Sequence, residues 1–209
     1  MNRPIVIEHP LVAHHLTVLR DKSSGPSLFR NTVDRLSSLV AYEATKDLLL
    51  TDQPIETPIQ KMVGKTLLNR IGMVPILRAG VGMVDAMMRM IPTAEVWHLG
   101  LYRDEKTAKP VRYYDKLPPG SPVDIAYVLD PMLATGGSAM AACETLQEWG
   151  VRNIKMLSII AAPEGIQRLS EAYPDVTILT CSIDRCLNEQ NFIVPGLGDA
   201  GDRYFNTTG

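Results

Sequence analysis

From residue 71 onward the chain alternates between two apolar patterns. Nearly continuous apolar runs, "IGMVPILR" (71–78), "AEVWHLGLYR" (94–103), "VDIAYVLD" (123–130), "NIKMLSIIAA" (153–162) and "DVTILTCSID" (175–184), read as buried strands. Between them, "AGVGMVDAMMRM", "SAMAACETLQEWG" and "PEGIQRLSEAY" read as helices. Strands apolar on both faces, alternating with helices, predict a parallel sheet covered on both sides. Ligands of such open α/β folds bind beyond the carboxyl ends of the strands. Upstream, Phe29, Val33, Leu36, Val40 and Ala44 recur at helical spacing within 27–50, with Ser27 as the expected N-cap. Residues 52–68 read as short extended segments broken by prolines.

The rhythm breaks at 101–122, a charged stretch with hairpin-like flanks and the cations Arg103, Lys106, Lys109, Arg112 and Lys116. It reads either as a solvated excursion or oligomer arm, or as a flap carrying positive charge over an anionic substrate.

Composition narrows the class. At 209 residues, 45% apolar and 21% charged, the chain suits one domain over 1–209 with a full core. A net charge of −2 argues against a broad nucleic-acid footprint. No run approaches the ~18 apolar residues of a membrane span, and the first residues lack a signal-peptide core, so a cytoplasmic protein without membrane partners is expected. The three cysteines, Cys143, Cys181 and Cys186, form no C-x-x-C pair and read as reduced, buried thiols.

Four stretches bear on phosphate chemistry. In "YVLDPMLATGGSAM" (127–140) a buried strand delivers Asp130 to its carboxyl end, and Thr135, Gly136, Gly137 and Ser138 lead into a helix N-terminus. Converging N–H groups, close-approach glycines and two hydroxyls make either a capped turn or a phosphomonoester cradle; Asp130 above it favours phosphate plus ribose. "MVGKT" (62–66) ends like a P-loop, but Ile59 stands where that loop needs a glycine, so Lys65 reads as a surface charge. "PGLGDAG" (195–201) spells G-x-G-x-x-G, yet the few residues after Gly201 are too short for the helix and second strand a dinucleotide fold requires. In "ILRAGVG", Arg78 at a strand end with bare glycine amides suits an anion of several charges. Met83, Met87, Met88 and Met90 read as core or subunit-interface packing, and His9, His14, His15 and His98 as structural.

"VLDPMLATGGSA" resembles the 5-phosphoribosyl 1-pyrophosphate (PRPP) motif of type I phosphoribosyltransferases, with Pro131 in place of the second of their paired acids. That departure, "ILRAGVGM" (76–83) and the terminal "IVPGLGDAGDRYFNT" (193–207) resemble the uracil phosphoribosyltransferases in particular, nearly end to end. The resemblance implies a type I phosphoribosyltransferase-like parallel sheet flanked by helices, with a β-hairpin arm or flap at 101–122 and a uracil-binding hood at 185–209. It implies conversion of uracil and PRPP to UMP and pyrophosphate, with Mg²⁺ held mainly by PRPP and no dedicated protein metal site. PRPP would be bound by Arg78, Arg103, Asp130, Pro131, Met132, Leu133, Ala134, Thr135, Gly136, Gly137, Ser138 and Asp199, among which Arg78, Arg103, Asp130 and Asp199 serve catalysis. Uracil would meet Ile193, Gly198, Asp199 and Ala200, largely through main-chain groups. The arm and the methionine-rich helix suggest a homodimer or higher homo-oligomer, and the resemblance implies a GTP effector to which no residue is assigned. A pyrimidine-responsive RNA-binding regulator on the same fold is the alternative.

Overall fold

The computed structural model describes residues 3–103, 110–114, 117, 118, 120 and 122–207. In chain order the elements are β1 (Ile5–Val6), α1 (Pro10–Arg20), α2 (Pro26–Ala44), β2 (Leu50–Glu56), β3 (Lys61–Leu67), β4 (Ile71–Pro75), a 3-10 turn at Ala79–Met83, α3 (Val84–Met90) and β5 (Glu95–Val96). There follow β6 (Gly100–Arg103), β7 (Pro110–Tyr114), β8 (Ile125–Leu129), β9 (Met132–Leu133), α4 (Gly137–Trp149), β10 (Asn153–Ala161), α5 (Pro163–Ala172), β11 (Thr177–Ile183), β12 (Cys186–Leu187), β13 (Ile193–Val194) and α6 (Ala200–Phe205).

The main sheet has seven strands in the order β1-β11-β10-β8-β4-β5, with β9 beside β10, and its pairings are parallel. Alternation explains the doubly apolar strands: Ile125, Tyr127 and Leu129 enter one core with α1, α2 and α3, whereas Ala126 and Val128 enter the other with α4 and α5. After β4 the chain turns to the α3 face; after β8 it turns to the α4 face. The two strands are neighbours, level at Pro75 and Leu129, so the loops leaving them part and open a crevice at their carboxyl ends.

Several elements depart from the pattern-based expectation. The helix expected over 27–50 runs from Pro26 to Ala44; Gly25, not Ser27, occupies the N-cap, because Pro26 supplies the first helical residue without needing an N–H partner. Its apolar stripe is buried as expected, from Phe29 through Ala44. At its far end Lys155 Nζ donates to Ala44 O at 2.8 Å and pairs with Asp47, stopping the helix short of Leu50. The proline-broken segment is one antiparallel hairpin, β2–β3, in register from Leu50↔Leu67 to Glu56↔Lys61. The single strand expected over 94–103 divides: β5 belongs to the main sheet, and β6 turns away to pair antiparallel with β7. The arm's cations Lys106, Lys109 and Lys116 lie outside the described residues, as do the side chains of Arg103 and Arg112. Helix α1 and strand β1 carry no expectation from the sequence. Met83 and Met87 are in the core, whereas Met88 and Met90 are exposed one helical step away. Cys143 and Cys181 are buried free thiols, and Cys186 is half-buried. No helix of the described residues is long and apolar enough to cross a membrane.

Candidate active site

Two adjoining cavities occupy the crevice. One, of about 80 Å³, is lined by Asp130 and by Met132 through Ala139. Its floor is the β8–α4 turn: Gly136, at φ +77°, takes the N-cap position that a side chain would strain, and α4 opens at Gly137 with its first N–H groups aimed into the space. The turn rests on α5. A Cβ on Gly165 would stand 2.2 Å from Ala134 O, and Arg168 Nη1 donates to Thr135 O at 2.9 Å. Leu133, Ala134, Thr135, Gly136 and Gly137 line this cradle, which opens into the larger cavity at Asp130, Met132 and Ser138.

The larger cleft, about 250 Å³, is bounded by Ile76, Leu77, Arg78 and Ala79 from the β4 loop, by Asp130, Met132 and Ser138, and by Asp199, Ala200 and Gly201 from the C-terminal segment. Gly80 makes the juxtaposition possible: any Cβ there would lie 2.2 Å from Leu129 O, the end of the strand that carries Asp130. Asp130 has a pKa raised to about 7; burial among the strand ends is the main cause, the Asp199 charge adds to it, and the Met132 N–H, donating at 3.2 Å, opposes it. Arg78 is largely exposed. Its Nη2 donates to Asp202 Oδ1 at 3.1 Å, and Thr207 Oγ1 donates to the same oxygen at 2.7 Å. The site arginine is thereby tied to the C-terminal helix.

Asp199 caps that helix, accepting from Asp202 N–H at 2.8 Å. A short helix therefore does follow the glycine-rich loop, but among the described residues no strand succeeds it, and the loop turns back on itself. Gly196 (φ +63°) and Gly198 (φ +81°) adopt the left-handed conformation, and a Cβ on Gly196 would sit 2.1 Å from Ile193 O. These glycines make a hairpin-like bend, not a pyrophosphate turn.

The structure brings Arg78, Asp130, Met132, Ser138, Asp199 and Ala200 to one cleft and the remaining cradle residues beside it. Pro131 lines neither cavity; its carbonyl is engaged by Ile159 and Ile160 N–H at 3.1 and 3.0 Å. Ile193 and Gly198 line neither cavity; Ile193 is buried and Gly198 exposed. Lys65 is an exposed hairpin charge paired with Asp52.

Sequence reasoning missed what holds the loop. Arg20, ending α1, donates from Nη1 to Asp184 Oδ2 at 2.7 Å and to Gly196 O at 2.8 Å, and from Nη2 to Ser182 Oγ at 3.2 Å. Asp184, 2% exposed, also accepts from Gly196 N–H at 2.8 Å and from Ser182 Oγ at 3.0 Å. Burial alone would raise this carboxyl's pKa; Arg20, the Gly196 N–H and Ser182 outweigh it and hold it below the ordinary aspartate value. Arg203 adds a second tie, donating to Leu19 O at 2.7 Å, Leu197 O at 2.8 Å and Asp21 O at 2.7 Å over the face of Phe29. No local pattern signals contacts this distant in sequence. Asp199 as an N-cap residue, with a second acid, Asp202, in the first turn, could have revealed α6.

A parallel sheet with a glycine-capped phosphate-sized cradle beside an acid at its switch point defines a phosphoribosyltransferase of the type I fold. The adenine phosphoribosyltransferase of Leishmania donovani shares that fold at a TM-score of 0.58 and 14% identity, over 98% of this chain and 89% of its own. The family model described as uracil phosphoribosyltransferase matches residues 6–207. The uracil phosphoribosyltransferase of Roseiflexus sp. strain RS-1 is 56% identical over 207 residues, covering 99% of this chain and 100% of that protein. That of Lactiplantibacillus plantarum is 52% identical over 203 residues, 97% of each chain. The solved AQ2163 protein from Aquifex aeolicus superposes with a TM-score of 0.93 at 35% identity, 99% of both chains being covered. This chain belongs to the uracil phosphoribosyltransferase family.

Proposed function

We propose that the protein joins uracil to PRPP, forming UMP and pyrophosphate: the bond from uracil N1 to the anomeric carbon forms as the bond to the pyrophosphate oxygen breaks, and the N1 proton is released to water. The observation that carries this reading is the continuity of the cradle and the larger cleft through Asp130, Met132 and Ser138, which lets one ligand place a phosphate in the first and a ribose with its leaving group in the second. The helix N-terminus at Gly137 anchors the 5′-phosphate. Asp130, as carboxylate, accepts from the ribose hydroxyls. Arg78 offsets charge on the departing pyrophosphate, with Arg103 assisting from the arm. Asp199 and Ala200, on the cleft's far wall, face the base, whose polar edge is read by main-chain groups of 193–200 held without intervening side chains.

A magnesium ion suits the cleft, because Asp130 and Asp199 line it together and the charge of Asp199 already weighs on Asp130. Carried in by PRPP oxygens, it would supply neutralisation of the leaving group's charge, with those two carboxylates holding its waters. The single-domain organisation over 1–209, the arm as flap and the homo-oligomeric state belong to the same reading.

Purified protein incubated with PRPP, Mg²⁺ and each of uracil, cytosine, adenine and guanine tests it through pyrophosphate release. Release with uracil alone is expected. Cytosine presents an amino donor where uracil offers a carbonyl, and mispairing two groups discriminates by about 10²–10⁴. Equal release with cytosine would overturn the reading of the base loop.

A further inference from the structure

Gly196 lies midway along the bend, between Ile193 and the Gly198–Ala200 segment. Its N–H and its C=O are taken by the two members of one ion pair, the N–H by Asp184 and the C=O by Arg20. The pair is assembled from opposite ends of the chain. Arg20 comes from the last turn of α1, where the carbonyl end of the helix favours a cation, and Asp184 comes from the end of β11. Ser182 satisfies the remaining valences, bonding to both partners. A charged pair beneath a loop is a poor way to gain stability, since desolvation offsets most of the attraction. What such a fully satisfied network supplies is one defined geometry.

We propose that Arg20 and Asp184 are positioning residues for the nucleobase: by clamping the N–H and the C=O of Gly196, one from each of its two flanking peptide groups, they set the place and tilt of the main-chain groups that read the pyrimidine. The inference rests on the function proposed above. Glycine is required at the clamp, because the backbone there is left-handed and no Cβ fits against Ile193 O. The flanking residues inherit their orientation from it. Arg203 fixes the other side of the same bend at Leu197 O, so the loop is held at two adjacent carbonyls and has little freedom to readjust. Cradle and Asp130 stand on other elements, and the clamp does not touch them.

Steady-state kinetics of the full-length protein separate a positioning role from a merely structural one, because a brace for overall stability changes the active fraction and thus kcat, whereas KM belongs to whatever fraction is folded. In Asp184→Asn the carboxamide keeps the shape but loses the charge, and the uracil KM is expected to rise about 10- to 100-fold with the PRPP KM within about twofold. Arg20→Lys retains the charge and loses the fork, with an expected rise of about 3- to 10-fold in the uracil KM alone. A parental uracil KM in both variants, a loss confined to kcat, or equal rises in both KM values would each overturn the proposal. If the parent itself releases no pyrophosphate with uracil, the functional reading falls and this inference with it; an active parent with insensitive variants sinks this inference alone.

Discussion

The cradle at 130–138 takes its polar groups from one uninterrupted stretch of chain, from the end of β8 into the first turn of α4. The bend at 193–200 is held instead by Arg20 and Asp184 from beneath and by Arg203, which reaches back to Leu19 and Asp21. In the function proposed above both regions offer main-chain donors to a ligand, yet they achieve rigidity differently. The cradle borrows it from a helix N-terminus, where successive N–H groups already converge. Between β13 and α6 the bend has no regular structure to lend it order, so arginine side chains satisfy the Gly196 and Leu197 carbonyls one at a time. A cradle of this kind can therefore be written locally, whereas a bend of irregular backbone depends on the whole fold.

The sharpest way to break this contrast is to disturb the cradle from behind. In Gly165→Ala the new methyl would meet Ala134 O at 2.2 Å, and that carbonyl belongs to the cradle itself. Backbone cannot yield as a flexible side chain can, so the variant is expected to lose about 1–3 kcal/mol of stability in chemical denaturation. The displaced N–H groups should lower kcat/KM for PRPP by about 100-fold. The uracil KM should hardly move. A rise in the uracil KM of the same size would show that the two regions are one unit.

The next test uses pH. In the proposed role Asp130 accepts the ribose hydroxyls as a carboxylate, a capacity that protonation reduces, and its pKa is raised to about 7. Because kcat/KM reports the free enzyme, its value for PRPP should fall about tenfold per pH unit below that point, and Asp130→Asn should flatten the profile at a low level. The stability consequence has a definite sign. A carboxyl whose folded pKa lies above its unfolded value of 3.8 binds more protons when folded, so the native state loses stability as pH rises between 3.8 and about 7. Denaturant titrations of Asp130→Asn should lack that decline.

Much of this was readable in the chain, and the boundary of what was readable follows the same contrast. The parallel sheet, its helices and the turn after β8 were visible because each is encoded by neighbouring residues: a continuous apolar run in β8, glycines at Gly136 and Gly137, an acid at Asp130. Arg78 was found for the same reason, although its tie to Asp202 was not. Arg20 and Asp184 escaped notice because an arginine ending a helix and an aspartate ending a strand are commonplace; what makes them matter is a meeting across the fold. The end of α2 was misjudged likewise. Nothing in "EATKDLLL" announces that Lys155, far along the chain, will cap the Ala44 carbonyl.

A smaller effect is expected at Arg203, where the fork to Leu19, Leu197 and Asp21 oxygens can be simplified without removing charge. Arg203→Lys keeps a cation over Phe29 but can no longer span three carbonyls. Loss of about 1–2 kcal/mol in unfolding free energy is expected, with a rise of roughly fivefold in the uracil KM and none for PRPP. An unchanged uracil KM would leave the clamp at Gly196 as sufficient support for the bend.

The smallest effect should come from the segment whose sequence advertised phosphate most openly. The "GKT" at 64–66 sits inside β3, an exposed hairpin strand, where extended backbone points successive N–H groups to opposite sides and none converge. Lys65 spends its charge on Asp52 across the hairpin, and both side chains are more than half exposed. Such a pair is worth about 0–1 kcal/mol. Lys65→Ala should therefore leave the unfolding midpoint nearly unchanged and both KM values parental, measured beside Gly165→Ala in the same assays. A PRPP defect in Lys65→Ala would mean that this hairpin reaches a phosphate, and the distinction between a motif's letters and the helix N-terminus that gives them force would fail.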